Sequence, residues 1–317
     1  MPAIIAHHLF GQDAYEALSP HIGESDVQRD SFLLGNQGPD PLLCLKLLPS
    51  SVGYRHVGTI MHEQATASLL TSVHRHFVNG TRQLESSACK AYALGFVCHY
   101  LLDSTVHPLV YAQQYALVGA GVDGLSNARE GREIHALIET ELDEHLLAKK
   151  LNATVADFSP HDEILACQAT ALAAISARFA PVAENTYGLT MPNLAFMTSV
   201  NMYRIAQTAL DSKRDGVRQY ADYAKLAGKA YLHIQALTHS ATPQPVVSFA
   251  NDDHVPWPHP FEQGGVVNAS FDELYELALR RACTVLPLFA QQEFSAADCA
   301  ELVGDVNFRG QRIGPSQ

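Results

Sequence analysis

Apolar residues recur at three- and four-residue spacing along most of the chain, and strict apolar–polar alternation is nearly absent. Residues 58–79 place Ile60, Met61, Leu69, Leu70, Val73 and Phe77 at helical spacing. A second helix, rich in Ala, Leu, Tyr and Val, is predicted over residues 86–117, with a kink or restart at Pro108, whose ring removes a backbone donor. A third covers residues 130–151. Ser159 and Pro160 read as an N-cap and first helical position ahead of an Ala-rich run over residues 164–179. Another helical stretch spans residues 193–210 and continues to near Leu237. Residues 241–268, rich in Pro, Gly and Asp, read as a long loop, and Ser270-Phe271-Asp272-Glu273 forms a capping box for a helix to about Gln291. The best strand candidate, residues 245–250, is short. The expected fold is all-α, a compact multi-helix bundle with a metal cluster between helices. It is read as a helical domain over residues 1–240, the loop, and a C-terminal helical segment, residues 269–317, packing on the same domain.

Composition narrows the function. The chain has 317 residues, 47% hydrophobic and 17% charged, which excludes global disorder and allows a sizeable core. Its formal charge of −12 argues against a broad nucleic-acid footprint. Histidine is over-used, at 16 residues, and is the commonest metal ligand. Cys44, Cys89, Cys98, Cys167, Cys283 and Cys299 show no close pairing and read as small buried hydrophobes in a reducing compartment. Residues 1–8 have no basic segment followed by an apolar one, and no apolar run reaches the roughly 18 residues of a membrane span. These features predict a cytoplasmic protein with no transmembrane segment.

Candidate chemistry gathers on two of the helices. His99, Asp103 and His107 stand four residues apart, so they lie within about 80° of one helix face. His135 and Glu139 repeat the spacing on the next helix. Alone, such a pair is more often a weak surface ion pair. The 99–107 segment, however, is embedded in apolar sequence, where an ionised Asp103 is costly to bury without a partner, and a metal supplies one. His62-Glu63-Gln64-Ala65-Thr66 begins like a zincin motif, but Thr66 stands where the second histidine belongs. Gly119, Gly121 and Gly124 spell a dinucleotide fingerprint after a helix rather than a strand, so that reading fails.

Together with His7, with Asp40 in Gln37-Gly38-Pro39-Asp40-Pro41, and with His62 in Gly58-Thr59-Ile60-Met61-His62, this ordered set resembles the zinc-dependent phospholipase C family and its single-strand nuclease relatives, over about residues 1–150. The resemblance implies an all-α bundle holding two or three zinc ions. It implies that Asp40, His62, His99 and Asp103 hold one zinc, that His107, His135 and Glu139 hold a second, and that His7 and Asp103 hold a third. It also implies Asp40 as general base. Such a centre carries net positive charge and attracts phosphate, and zinc-activated water then hydrolyses phosphodiester or phosphomonoester bonds. The implied partner is a phosphate-ester substrate, a phospholipid among the candidates.

Departures from the family pattern limit the analogy. The N-terminal Trp whose amine chelates zinc in secreted relatives has no counterpart; the single tryptophan is Trp257, and Pro2 is the substitute if Met1 is removed. The step from Asp103 to His107 is shorter than in those relatives. Thr59 stands where a choline-cradling aromatic is needed, so phosphatidylcholine is not the implied substrate. His8 reads as facing away from His7; His74, His76 and His145 as surface groups; His161-Asp162 as a helix start; and Asp252, Asp253, His254 and His259 as loop positions. The alternatives are a nuclease of the same superfamily and a non-catalytic metal-binding helical protein.

Overall fold

A computed structural model describes residues 4–79, 84–119, 128–155, 157–158, 163–209 and 249–314. Its α-helices are α1 (Ile4–Ile22), α2 (Asp26–Gly35), α3 (Val57–Glu63), α4 (Thr66–Val73), α5 (Leu84–Gly119), α6 (Ala128–Leu146), α7 (Ala169–Tyr187), α8 (Ala195–Ala209), α9 (Phe271–Phe289) and α10 (Ala296–Val303). A 3-10 helix covers Asp40–Leu47, and the described strands are the two-residue pair β1 (Trp257–Pro258) and β2 (Val266–Val267), antiparallel with Trp257 opposite Val267. The all-α expectation holds.

Several boundaries differ from the sequence reading. Residues 58–79 are not one helix, because Ala65 adopts a left-handed conformation (φ 52°) between α3 and α4, and the stretch ends in a π-turn at His74–Val78. Helix α5 runs through Pro108 without ending; the ring supplies no donor for the Ser104 carbonyl, but burial of Leu101, Val106, Leu109 and Val110 holds both flanking turns. Helix α7 begins at Ala169 rather than Ile164, since Leu165 has a φ of 68°. The Ser159 cap, His161-Asp162, most of the glycine fingerprint, the 210–237 continuation and most of the 245–250 strand candidate lie outside the described residues. The Ser270 capping box is present: its hydroxyl accepts from the Glu273 amide at 3.2 Å, and Glu273 accepts from the Ser270 amide at 3.0 Å. The 249–270 loop is more ordered than its composition suggests. Its hairpin is tied down by Trp257 Nε1 donating to Ala269 O and by the Asn251 amide reaching Ala269 O.

The described chain forms two compact units. The larger comprises His7–Thr105, Ile164–Arg204 and Tyr275–Gln317. Its axis is α5, whose residues 91–104 are all buried. Tyr92 and Phe96 on this helix join Phe77, Phe179 and Phe196 in one aromatic core, with Phe179 and Phe196 stacked at 4.3 Å. Burying each such ring stabilises by roughly 1.5–3 kcal/mol. Helix α2 crosses α5 with the two backbones in contact. A Cβ on Gly95 would sit 2.1 Å from the Phe32 carbonyl oxygen, and one on Gly35 would sit 2.2 Å from that of Tyr92. Only glycine permits this crossing.

The smaller unit comprises Met1–Ala6, Val106–Glu163 and Ile205–Leu274. Helix α6 buries Ile134, Ile138, Leu142 and Leu146 at four-residue spacing. One step around the helix lies the row His135, Glu139, Asp143. Asp143 is fully buried and accepts from the Ile5 and Ala6 amides at 3.2 and 2.7 Å, so it satisfies the otherwise orphaned donors at the start of α1.

The glycine crossing gives a direct test. Gly95→Ala should lower unfolding free energy by about 2–3 kcal/mol, as overpacking against an immovable backbone does. Gly53→Ala, whose added Cβ meets nothing within 4 Å, should be close to neutral in the same urea titration.

Candidate functional site

Five of the eight residues singled out in the sequence come together in the larger unit. His7 projects from α1, Asp40 opens the 3-10 helix, His62 ends α3, and His99 and Asp103 lie one turn apart on α5. Asp103, 6% exposed, directs one oxygen to each of two imidazoles: Oδ1 to His7 Nε2 and Oδ2 to His99 Nε2, both at 3.1 Å. His62 Nε2 meets Asp40 Oδ1 at 3.1 Å. Donor atoms of His7, Asp40 and His99 lie within 4.8 Å of one another, as do those of His62, His99 and Asp103. His99 thus belongs to both groups, and His7 falls with Asp40 as well as with Asp103.

The imidazoles are oriented by what their other nitrogens do. His99 Nδ1 lies 3.0 Å from the Asn36 carbonyl oxygen, and His62 Nδ1 lies 2.7 Å from that of Gly58. A carbonyl only accepts, so both Nδ1 atoms carry the proton. Each Nε2 therefore presents a lone pair in the neutral ring, and each faces a carboxylate. That arrangement calls for a cation or a proton in between. His99 Nε2 is buried and not aligned as a hydrogen bond with Asp103, and His7 Nδ1 is buried without a hydrogen-bond partner. Imidazole nitrogen with carboxylate oxygen is the donor set zinc takes, and a second nitrogen held by a carbonyl is the usual support for such a ligand.

Local backbone geometry creates this placement. The Gly35–Gly95 crossing brings the end of α2 against α5, so the Asn36 carbonyl reaches His99. Gly38 follows with a φ of 50°, and a Cβ there would lie 2.4 Å from the His99 ring. His7 stacks on His99 at 4.0 Å, and Phe308 lies 5.4 and 5.8 Å from the His62 and His99 rings.

Charge follows from burial and neighbours. Burial lowers the His7 imidazole, and the neighbouring His99 charge lowers it further, against the pull of Asp103. Burial also acts to lower His99, but the charges of Asp103 and Asp40 outweigh it and raise the group above its ordinary value. Burial acts to raise Asp40, yet the hydrogen bond from His62 and the charge of His99 bring it down to about 2.

The other three residues meet in the smaller unit. Glu139 Oε1 lies 3.3 Å from His107 Nε2 and 3.4 Å from His135 Nε2, and donor atoms of all three lie within 4.8 Å. His135 Nδ1 contacts Gln114 Oε1 at 2.9 Å, which again leaves Nε2 free to face the carboxylate. Gly131, one turn before His135, makes room: a Cβ there would lie 3.1 Å from Gln114 Nε2. Burial acts to raise Glu139, but His135 and His107 outweigh it and hold the carboxyl well below the usual range. Tyr111 packs against His135 at 4.7 Å and Phe261 against Tyr111 at 5.5 Å. With a step of four, Asp103 and His107 still deliver their side chains to the two groups.

Some of the remaining histidines are not the surface groups the sequence suggested. His74 is buried, with Nε2 at 2.8 Å from the Gln291 carbonyl, because the π-turn directs it inward. His8 is buried against Gln12, and burial, with the Arg29 charge, lowers it to about 4. His76 is half-buried and bonded to Asn185, and His145 is half-buried against Asp272, which also pairs with Lys149. Asp252, Asp253 and His254 are exposed, as expected of a loop. Asn36, Gln114, Phe308 and the supporting glycines escaped the sequence reading. Only the Gly-Pro-Asp run beside Asp40 hinted at a special backbone there.

Among the described residues, no helix is long and apolar enough to cross a membrane. No curated protein and no solved structure matches the chain. A family model described as zinc dependent phospholipase C matches residues 6–178, a span that begins one residue before His7 and takes in all eight residues of the two groups. The chain belongs to the zinc-dependent phospholipase C family.

Proposed function

We propose that the chain is a zinc-dependent phosphoesterase that hydrolyses phosphodiester or phosphomonoester bonds. The observation that carries this reading is the shared orientation of His62, His99 and His135. Each has Nδ1 held by a carbonyl or amide oxygen and Nε2 set toward a carboxylate. Asp40, His62, His99, Asp103 and His7 would hold zinc in the larger unit, and His107, His135 and Glu139 in the smaller. Two or three ions fit these donors. Zinc bound there supplies Lewis acidity, which acidifies water and draws charge from a phosphoryl group.

The chain's own residues do the rest. Asp103 faces His7 and His99 at once, one oxygen to each, so the carboxylate and the two rings present their donors together. Asp40, the proposed general base, is nearly buried and stays ionised, so it can accept a hydrogen bond from water and orient it. Asn36 and Gly58 lock the tautomers of His99 and His62. Tyr111 and Phe261 offer an apolar face beside His135. We place the protein in the cytoplasm, a reading supported by Cys44, Cys98 and Cys299, buried thiols that form no disulfide.

Metal analysis of untagged protein should find two or three zinc per chain, and a chelator should abolish turnover of chromogenic phosphate esters. Full zinc without turnover on any ester would leave the non-catalytic alternative. Asp40→Asn should lower kcat by about two orders of magnitude while most zinc is retained. An equal fall in zinc and rate would instead make Asp40 a ligand only. Zinc should also leave as pH falls. His99, raised above its ordinary value, is protonated at higher pH than a free imidazole, so protons compete with metal from that raised value downward. Zinc content measured after equilibration across mildly acidic pH checks the sign.

A further inference from the structure

His62, His99 and His135 each have Nδ1 held by an oxygen: Gly58 O at 2.7 Å, Asn36 O at 3.0 Å and Gln114 Oε1 at 2.9 Å. His7 departs from this pattern. Its Nε2 faces Asp103, but its Nδ1 is buried and makes no hydrogen bond among the described residues. The side-chain oxygen Oδ1 of Asn36 is a second buried polar atom with no hydrogen-bond partner there. Both residues are enclosed, Asn36 fully and His7 to within 2%. We infer that Asn36 is a positioning residue for both rings: its backbone carbonyl orients His99 directly, and its side-chain Oδ1 orients His7 through one bridging water. The inference deepens the phosphoesterase reading and rests on it for His7 as a zinc ligand.

Packing places the Asn36 amide on the His7 side of the group. The His7 and His99 rings stack at 4.0 Å, and the Asn36 carbonyl reaches the second of them. His7 and Gly11 stand one turn apart on one face of α1. Helical side chains lean toward the helix N-terminus, so the space a Gly11 side chain would fill lies over the His7 turn. The Asn36 amide occupies that space: a Cβ on Gly11 would stand 2.8 Å from its Cγ and 2.8 Å from its Nδ2. The sense of the amide is fixed as well. Its Nδ2 donates at 2.9 Å to Phe32 O, which only accepts, so Oδ1 is the end that remains for another donor.

Metal binding gives that oxygen its use. When Nε2 of His7 takes a metal, the ring proton resides on Nδ1, and a buried N–H needs an acceptor. The two orphaned atoms do not bond each other directly. One water that accepts from the His7 N–H and donates to Asn36 Oδ1 satisfies both. Gln114 does the same work for His135 with a side-chain amide oxygen, in that case by direct contact. The two roles of Asn36 are separable. Its backbone N–H donates to Phe32 O at 3.0 Å whatever the side chain, so a substitution leaves the carbonyl where His99 requires it.

The test uses the zinc-loaded full chain with isotope-labelled histidine. Wild type should show slowly exchanging Nδ1 protons for both His7 and His99 by magnetic resonance. Asn36→Leu removes the acceptor and Asn36→Asp keeps one, while both lose the donor to Phe32 O. Asn36→Leu should lose the His7 signal, keep the His99 signal and weaken zinc binding by about ten-fold or more in competition with a chromogenic chelator. Asn36→Asp should restore both readings. Gly11→Ala pushes the amide aside without changing either polar group, so it should act as Asn36→Leu does, and it decides the matter if that variant does not fold. Unchanged zinc affinity and His7 signal in these variants would overturn the inference. So would equal losses in Asn36→Leu and Asn36→Asp, or loss of the His99 signal together with that of His7, which marks a general collapse of the α2–α5 contact. Neither readout requires turnover. The expected signals in a chain inactive on every ester would therefore keep the role of Asn36 while removing the phosphoesterase reading, and a wild-type chain that takes up no zinc would remove both.

Discussion

A buried carboxylate between two imidazoles sets the terms for the larger unit. Asp103 sits on a helix that is enclosed along residues 91–104, and a charge in such a place is costly unless paired. Its two oxygens face His7 and His99. Protonating both imidazoles would satisfy the carboxylate but would stack two like charges at 4.0 Å. The opposite shifts of the two rings, His7 lowered and His99 raised, express that conflict. A divalent cation held there would remove it, by drawing on lone pairs of neutral imidazoles and balancing the Asp103 charge. The family is zinc-dependent, and the donor atoms of this cluster lie close enough together that they could hold a metal ion.

The backbone crossing of α2 and α5 serves that cluster. Close approach at Gly35 and Gly95 costs conformational entropy and two side chains that could have packed. In return the Asn36 carbonyl reaches His99, and the turn through Gly38 passes over the same ring. A wider crossing would leave His99 free to rotate and expose its tautomer to choice. At Gly131 the fit is looser, since an added Cβ would stand 3.1 Å from the movable end of Gln114, the partner of His135. At the α2–α5 crossing a missing side chain permits the hydrogen bond that aims His99.

The helical rows of the site were legible because i, i+4 spacing is local: His99 with Asp103, and His135 with Glu139, declare a shared face without any knowledge of the fold. His62 drew notice through an incomplete zincin motif, but His7 and Asp40 entered only through the resemblance, since the contacts that unite them with His99 run from α1 to α5. Asn36 stayed hidden because it holds His99 through its backbone. Phe308 stayed hidden because nothing local distinguishes a phenylalanine that covers a site from one in the core. Element ends were misread where single residues such as Ala65 and Leu165 take left-handed conformations that their side chains do not advertise. The inward turn of His74 has the same origin, in a π-turn that periodicity does not encode.

The region matched by the family model ends at residue 178, yet the larger unit is completed by residues well beyond it. Asn307 Nδ2 donates to the Glu63 carbonyl at 3.3 Å, and Arg309 pairs with the Glu63 carboxylate. The Tyr100 hydroxyl reaches the Val303 and Val306 carbonyls. These contacts hold the C-terminal segment on α3 and α5, the helices that carry His62, His99 and Asp103. They set Phe308, itself fully buried, against both histidine rings. An apolar wall there lowers the local dielectric, which strengthens every imidazole–carboxylate interaction behind it. The wall over the His62 and His99 rings is thus supplied by a segment that lies beyond the span the family model matches.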